Sequence, residues 1–280
     1  MKRLLTLTIA GTALFAIATP AAAQGSCTRE DLAETAANWV QAVEDGNPFP
    51  MRMGEWVDYW ENFGLATLTG FFTKPRQVDW TLTLLDTGSC MAFVELVSND
   101  PEDPMVLATQ LTHFGFNGSV GKIDNITSQE GDWLFNPSAT LEYAQSEDWS
   151  ELDESQRSSR EVLIAAADAY LDKFLDNSVE VPWGTPCRRL EGGLYTGDGS
   201  PDDSCDVGVP EGIELVDRRY VVDEAMGSVS VFLRFGGPEG LPDSHMFRVV
   251  DGKITNIHTV TNCMGVDNCG FPPFDGTPPQ

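Results

Sequence analysis

Imidazole is the side chain whose proton affinity lies nearest neutrality, and this 280-residue chain holds three: His113, His245 and His258. Two of them fall in HMFRVVDGKITNIH, residues 245–258. Asp-Gly between two alternating runs is a strong signal for a two-residue hairpin turn. With Asp251 and Gly252 as the turn, Val249 faces Ile254, Phe247 faces Asn256 and His245 faces His258. Directly opposed residues have Cβ atoms about 4.5–5.5 Å apart, so the two imidazoles would meet. Phe247, Val249, Ile254 and Asn256 share their face, while Met246, Arg248, Lys253 and Thr255 read as the solvent side. Such a pair can move protons. The plainer alternative is a buried polar pair that only positions strands. Metal ligation is the third option, but no further ligand stands at a convincing spacing. The expectation is acid–base chemistry with no metal and no cofactor.

The first half offers a second set. His113 lies in QLTHFGFNGSVGKIDNI, residues 110–126. A turn at Asn117-Gly118 places it opposite Lys122. A four-residue loop over 117–120 places it opposite Asp124, which would make an oriented His–Asp base. In WVDYWENF, Tyr59 and Glu61 are candidate acid or base, and in CRRLEGG, Arg189 beside Glu191 is a candidate oxyanion holder. Trp56, Tyr59, Trp60, Phe63, Phe71, Phe72 and Trp80 either line a pocket for a flat apolar ligand or simply build core. No GxSxG, phosphate-binding loop, GxGxxG or HExxH occurs. NGS at Asn117 and NIT at Asn125 fit the glycosylation sequon, which a bacterial host would leave bare.

These residues must be held by elements that occur twice. REDLAETAANWVQAVEDGN begins at Arg29, and REVLIAAADAYLDKFLDNS begins at Arg160. Leu32, Ala36, Trp39, Val40 and Val43 correspond to Leu163, Ala167, Tyr170, Leu171 and Phe174, the spacing of a helix with one buried face. GSCMAFVEL resembles GSVSVFLRF, and VGKIDNIT resembles DGKITNIHT, in the same order. Each half therefore reads as a long helix followed by antiparallel strands. Residues 145–159 are acidic and read as a solvated linker.

A helix in the hollow of a curved antiparallel sheet resembles the cone-shaped fold of nuclear transport factor 2, SnoaL-type cyclases and scytalone dehydratase, also called a cystatin-like α+β barrel. GDWLFN, VPWGTPCRRLEGG, DSCDVGVP, DRRYVVDE and LPDSHMFRV more specifically resemble an uncharacterised domain of secreted fungal proteins. The resemblance implies an α+β protein of two tandem cones and a Cys187–Cys205 bridge. By analogy of fold alone it implies a cofactor-independent lyase, dehydratase or isomerase working on a small aromatic molecule. Lignin-derived dimers that release formaldehyde belong to that class. A non-catalytic periplasmic binding or interaction protein is the competing expectation.

Lys2 and Arg3, an apolar run over 4–18 and a small-residue site at Ala21, Ala22 and Ala23 read as a signal peptide over 1–23. The first domain is then expected over 24–150 and the second over 151–280, ending in a Pro/Gly-rich tail. Export to the periplasm or the medium follows, with no membrane anchor after cleavage. Six cysteines without a CxxC favour disulfides. Proximity pairs Cys187 with Cys205 and Cys263 with Cys269, leaving Cys27 for Cys90. A formal charge of -26 sets aside nucleic acid and anionic membranes as partners. A small hydrophobic or aromatic ligand remains the expected partner, with oligomerisation left open.

Overall fold

The computed structural model of the protein describes residues 27–114 and 119–272. The segment read as a signal peptide, the candidate turn at Asn117 and Gly118, and residues 273–280 lie outside the described residues. The first half runs α1 (Arg29–Asp45), β1 (Met53–Glu61), β2 (Gly64–Leu65), α2 (Leu68–Phe71), β3 (Trp80–Asp86), β4 (Met91–Ser98), β5 (Met105–Phe114), β6 (Ser119–Ser128) and α3 (Pro137–Ser146). The second runs α4 (Arg160–Lys173), β7 (Trp183–Glu191), β8 (Leu194–Tyr195), β9 (Leu215–Asp223), β10 (Ser228–Phe235), β11 (Leu241–Val250) and β12 (Lys253–Thr261).

The strands form two six-stranded sheets of identical topology, β2-β1-β6-β5-β4-β3 and β8-β7-β12-β11-β10-β9. Each sheet is mixed rather than antiparallel throughout, because β1 lies parallel to β6 and β7 parallel to β12. Helix α1 starts at a Thr28–Asp31 capping box and stops at Gly46, whose φ of 64° suits glycine. A Cβ there would also strike the backbone of Lys74 and Pro75. The helical repeat packs as its spacing predicts: Leu32, Ala36, Trp39 and Val43 are buried in one cone, and Leu163, Ala167, Tyr170, Leu171 and Phe174 in the other.

The opposite faces of the sheets pack on each other through a third core that includes Leu84, Phe93, Ile126, Val221, Phe232 and Met246. The β11 part of the strand face that read as solvent-exposed is therefore buried, Met246 at 0% and Arg248 at 4% exposed, while Lys253 beside the turn is exposed as expected. Residues 145–159 are mostly exposed, as a solvated linker should be, but three of their side chains turn inward. Leu152 is buried, Trp149 packs against the inter-sheet core, and Glu147 lies at its heart.

Two reciprocal clamps join the halves. Arg29, at the start of α1, binds Asp223 at 2.7 Å, and Arg160, at the start of α4, binds Asp86 at 2.7 Å. Each aspartate also accepts a backbone N–H across the junction, from Leu85 and Val222 respectively. Arg29 and Arg160 are the first residues of the helical repeat, so the halves meet in a near-twofold way, each helix start gripping the other half's strand end. All three disulfides, Cys27–Cys90, Cys187–Cys205 and Cys263–Cys269, are present. Among the described residues no helix is long and apolar enough to cross a membrane.

Candidate functional site

Side chains alternate along a strand, so residues two apart share a face. Asp243 and His245 on β11 both point into the second cone. The register sets Asp243 opposite Thr261 and His245 opposite Thr259, and β7 continues the second row with Glu191 opposite Thr259. These five residues form one wall of a cavity of about 220 Å³. Phe174, Ile213, Phe235 and Leu241 supply apolar walls, while Trp133, Cys269 and the half-exposed Phe271 line the part-open side as a partial roof. The Trp133 and Phe271 rings meet at 5.1 Å, and the Cys263–Cys269 loop carries Phe271 into place.

The Asp243 carboxylate is 3.1 Å from His245 Nδ1, a contact without the alignment of a hydrogen bond. The Thr261 hydroxyl donates to the other Asp243 oxygen at 3.0 Å. Such contacts commonly tighten only when ligand is bound. Glu191 lies 3.2 Å from Arg189 Nε, again unaligned, and Arg189 Nη1 donates to the Tyr170 hydroxyl at 3.4 Å. Burial, the largest influence on Arg189, opposes its charge. Tyr170 and Glu191 outweigh it and hold the guanidinium above its ordinary pKa. Burial also raises the Tyr170 phenol well out of its usual range, so it stays protonated.

His258 is not part of this site. The Asp251-Gly252 turn forms as the sequence predicts, with positive φ at both residues and Val249 opposite Ile254. A bulge at Thr255 then adds one residue to β12, so Arg248 faces Asn256 and His245 faces Thr259. One inserted residue moves every later side chain to the other face. His258 consequently points into the inter-sheet core, opposite Met246. There Nδ1 meets Glu95 at 2.8 Å, Nε2 meets Glu147 at 2.5 Å, and Trp80 and Trp149 pack against the ring. Tyr195 and Asn256 each donate to Glu147 at 2.9 Å. Burial alone would depress the imidazole, but the two carboxylates override it and push its pKa up to about 10. It is a charged buckle between the halves.

The first-half candidates are also dispersed. A bulge between Thr112 and His113 places His113 opposite Val120, neither Lys122 nor Asp124. Its Nε2 shares a 2.7 Å hydrogen bond with the Thr35 hydroxyl of α1, and burial lowers its pKa. Tyr59 is a core residue whose hydroxyl accepts from Asn125 at 3.0 Å; burial pushes its pKa up beyond the ordinary range. Glu61, half-buried, is raised by the same cause. The aromatic pool does not line one pocket. Tyr59, Phe71 and Phe72 are core, Trp56 is 79% exposed, and Trp80 covers His258. Of the sequence candidates, His245 and Glu191 line the cavity, with Arg189 packed behind Glu191. Asp243 went unnoticed although the strand LPDSHMFRV puts it two residues before His245, on the same face. The roof left no local signal, because Trp133 and Phe271 meet only through the fold. Among the described residues no three His, Cys, Asp or Glu side chains group as metal ligands.

Residues 156–261, most of the second half, match a family model described as a domain of unknown function (DUF8021). No curated protein matches the chain. An NTF2-like protein of unknown function from Cytophaga hutchinsonii is similar over 40% of this chain and 96% of its own, at 9% identity and a TM-score of 0.28. A putative SnoaL-like polyketide cyclase from Jannaschia sp. CCS1 is similar over 41% of this chain and 99% of its own, at 14% identity and a TM-score of 0.27.

Proposed function

We propose that the second half is a cofactor-independent lyase, dehydratase or isomerase acting on a small, mainly aromatic molecule. One observation carries this reading: an apolar, partly roofed cavity whose single polar wall bears His245, its partner Asp243, and Glu191. When a ligand tightens the 3.1 Å Asp243 contact, the carboxylate orients the imidazole through Nδ1, and Nε2 is the atom that takes a proton from carbon. The same imidazolium returns that proton to a neighbouring carbon, giving isomerisation, or to a departing oxygen, giving elimination. Either path balances with one base. Glu191 lies two strand spacings away, roughly 10 Å, and accepts a hydrogen bond from a substrate hydroxyl at the far end. Arg189 positions Glu191.

Volume narrows the substrate. A dry cavity of about 150 Å³ takes benzene, so 220 Å³ suits one substituted ring. A two-ring lignin-type dimer requires the Trp133–Phe271 roof to lift. Three disulfides suit an oxidising compartment, and with the leader read from the sequence they support the periplasm or the medium. The mostly apolar lining favours a second reading, retention of a ligand without turnover.

One experiment separates the two. Single-ring aryl ketones, enols and hydroxy acids are incubated with the protein in D₂O and followed by proton NMR. Protein-dependent loss of a C–H signal that His245→Asn abolishes supports catalysis. Ligand line broadening with no exchange or product in any compound supports the binder and removes the enzyme.

A further inference from the structure

The chain carries 43 Asp and Glu against 17 Lys and Arg, and one cleft reverses that balance. Lys122, Arg218, Arg219 and Arg234 line an open cleft of about 410 Å³ together with Trp60 and Phe63, and Asp217 is the one acid in its wall. Lys122, Trp60 and Phe63 come from the first half and the three arginines from the second.

Three of the four cations have their own counter-charges. Arg218 donates to Asp168 and Asp172 at 2.8 and 2.7 Å. Arg234 pairs with Asp217 at 3.2 Å, and Lys122 with Asp124 at 3.0 Å. Arg219 differs. Its Nη2 is 3.3 Å from Asp124, the carboxylate that Lys122 already holds. Neither Nη2 nor Nε makes an aligned hydrogen bond with a described residue, although both atoms are covered. The side chain as a whole is 38% exposed, so the rest of the group faces the cleft. Aromatic rings hold it in place: its guanidinium lies 4.5 Å from the Phe63 centroid, with that of Arg234 at 4.8 Å from the same ring. Burial is the main cause lowering its pKa, and Arg234 adds to the effect against Asp124 and Asp217. Arg219 and Lys122 thus share Asp124, whose Oδ1 is itself buried without an aligned hydrogen bond, and Arg219 offers the cleft the part of its guanidinium beyond the covered Nε and Nη2.

A guanidinium in that state matches a planar or tetrahedral oxyanion. We propose that this cleft binds a carboxylate, sulfate or phosphate group of a small ligand through Arg219, flanked by Lys122 and Arg234. The site is separate from the His245 cavity and bridges the two halves. The acidic surface keeps anions away at long range, so recognition rests on short-range contacts, and Phe63 and Trp60 offer a flat apolar wall beside the charge.

Titration calorimetry of the intact protein with sulfate, phosphate and benzoate, each against chloride at constant ionic strength, tests this. Saturable binding of at least one anion is expected, weakened tenfold or more by Arg219→Gln. A preference for benzoate points to aromatic carboxylates, and a preference for sulfate or phosphate to free inorganic oxyanions. No saturable binding above chloride, or unchanged affinity in Arg219→Gln, overturns the proposal. If circular dichroism shows that this variant does not fold, Lys122→Gln and Arg234→Gln replace it. Each is expected to weaken binding several-fold, and unchanged affinity in both overturns the proposal equally.

Discussion

The two cones share one topology and differ in what one row of residues does. In the first half the row across β1, β6 and β5 reads Glu61, Asn125, Thr109. In the second, across β7, β12 and β11, it reads Glu191, Thr259, His245. Asn125 accepts from the Thr109 hydroxyl at 2.7 Å and donates to Tyr59 at 3.0 Å, so two members of the first row close on a neighbouring phenol as neutral, buried groups, with the half-buried Glu61 at the row's end. In the second row the polar groups face a void, and its ionisable members keep unaligned contacts. A buried polar group without a good partner is costly. Asn125 and Thr109 avoid that cost in the first row, although other buried groups of the first copy, His113 Nδ1 and Trp39 Nε1 among them, make no aligned hydrogen bond with a described residue. In the second row His245 Nδ1 bears that cost beside a cavity, and the cavity is what the proposed function rests on.

The comparison can be broken in four ways. Replacing His245 by Asn has the largest expected effect, a loss of turnover of about 10²–10⁴-fold, the range for a positioned acid–base group. The melting temperature should hardly move, because the ring makes no aligned hydrogen bond through Nδ1. Equal losses of rate and fold would mean that the second row is structural like the first.

Next in size is His258→Ala. It leaves Glu95 and Glu147 facing each other, both almost fully buried, and removing one member of a buried ionic set costs about 3–5 kcal/mol. Denaturant titration should read that loss, while ligand affinity at the His245 cavity survives. A stable variant that has lost only activity would return His258 to the catalytic set.

The same buckle sets a pH dependence. The folded pKa of His258 stands near 10, above the roughly 6.5 of an unfolded histidine, so its contribution is complete below 6.5 and fades between there and 10. Glu147 runs oppositely: His258, Asn256 and Tyr195 overcome burial and hold it below its usual value, so its share is lost only at acid pH. Denaturant midpoints should fall across pH 7–10 in the parent protein and flatten in His258→Gln. A parent curve that is flat over that range would contradict a charged buckle.

The smallest effect is expected from Tyr59→Phe, which deletes one hydrogen bond of the first row and should cost about 1 kcal/mol with no change in rate. A rate loss there would show that the first cone is not merely packing.

Much of the scaffold could be read from the order of residues. The helical repeat from Arg29 and Arg160, the strand runs, the Asp251-Gly252 turn and the two short disulfides each depend on neighbours within a few tens of residues, where periodicity and chain proximity carry the information. The histidine assignment failed for a local reason with a long-range consequence. The bulge at Thr255 is one extra residue in β12, shared with a register shift in the parallel partner β7, and no alternation pattern announces it. Composition read residues 145–159 rightly as mostly solvated but could not single out Glu147, whose side chain turns inward because the buried cation of His258 waits for it.

The sequence alone thus determined a duplicated α+β chain, its helices and the two short disulfides, because short-range spacing encodes them, with Cys27–Cys90 left as the remaining pair. Tertiary structure decided which face each histidine occupies, which cone keeps a cavity and what roofs it. Those outcomes depend on register and on contacts between residues more than a hundred positions apart, such as Trp133 with Phe271 and Glu95 with His258.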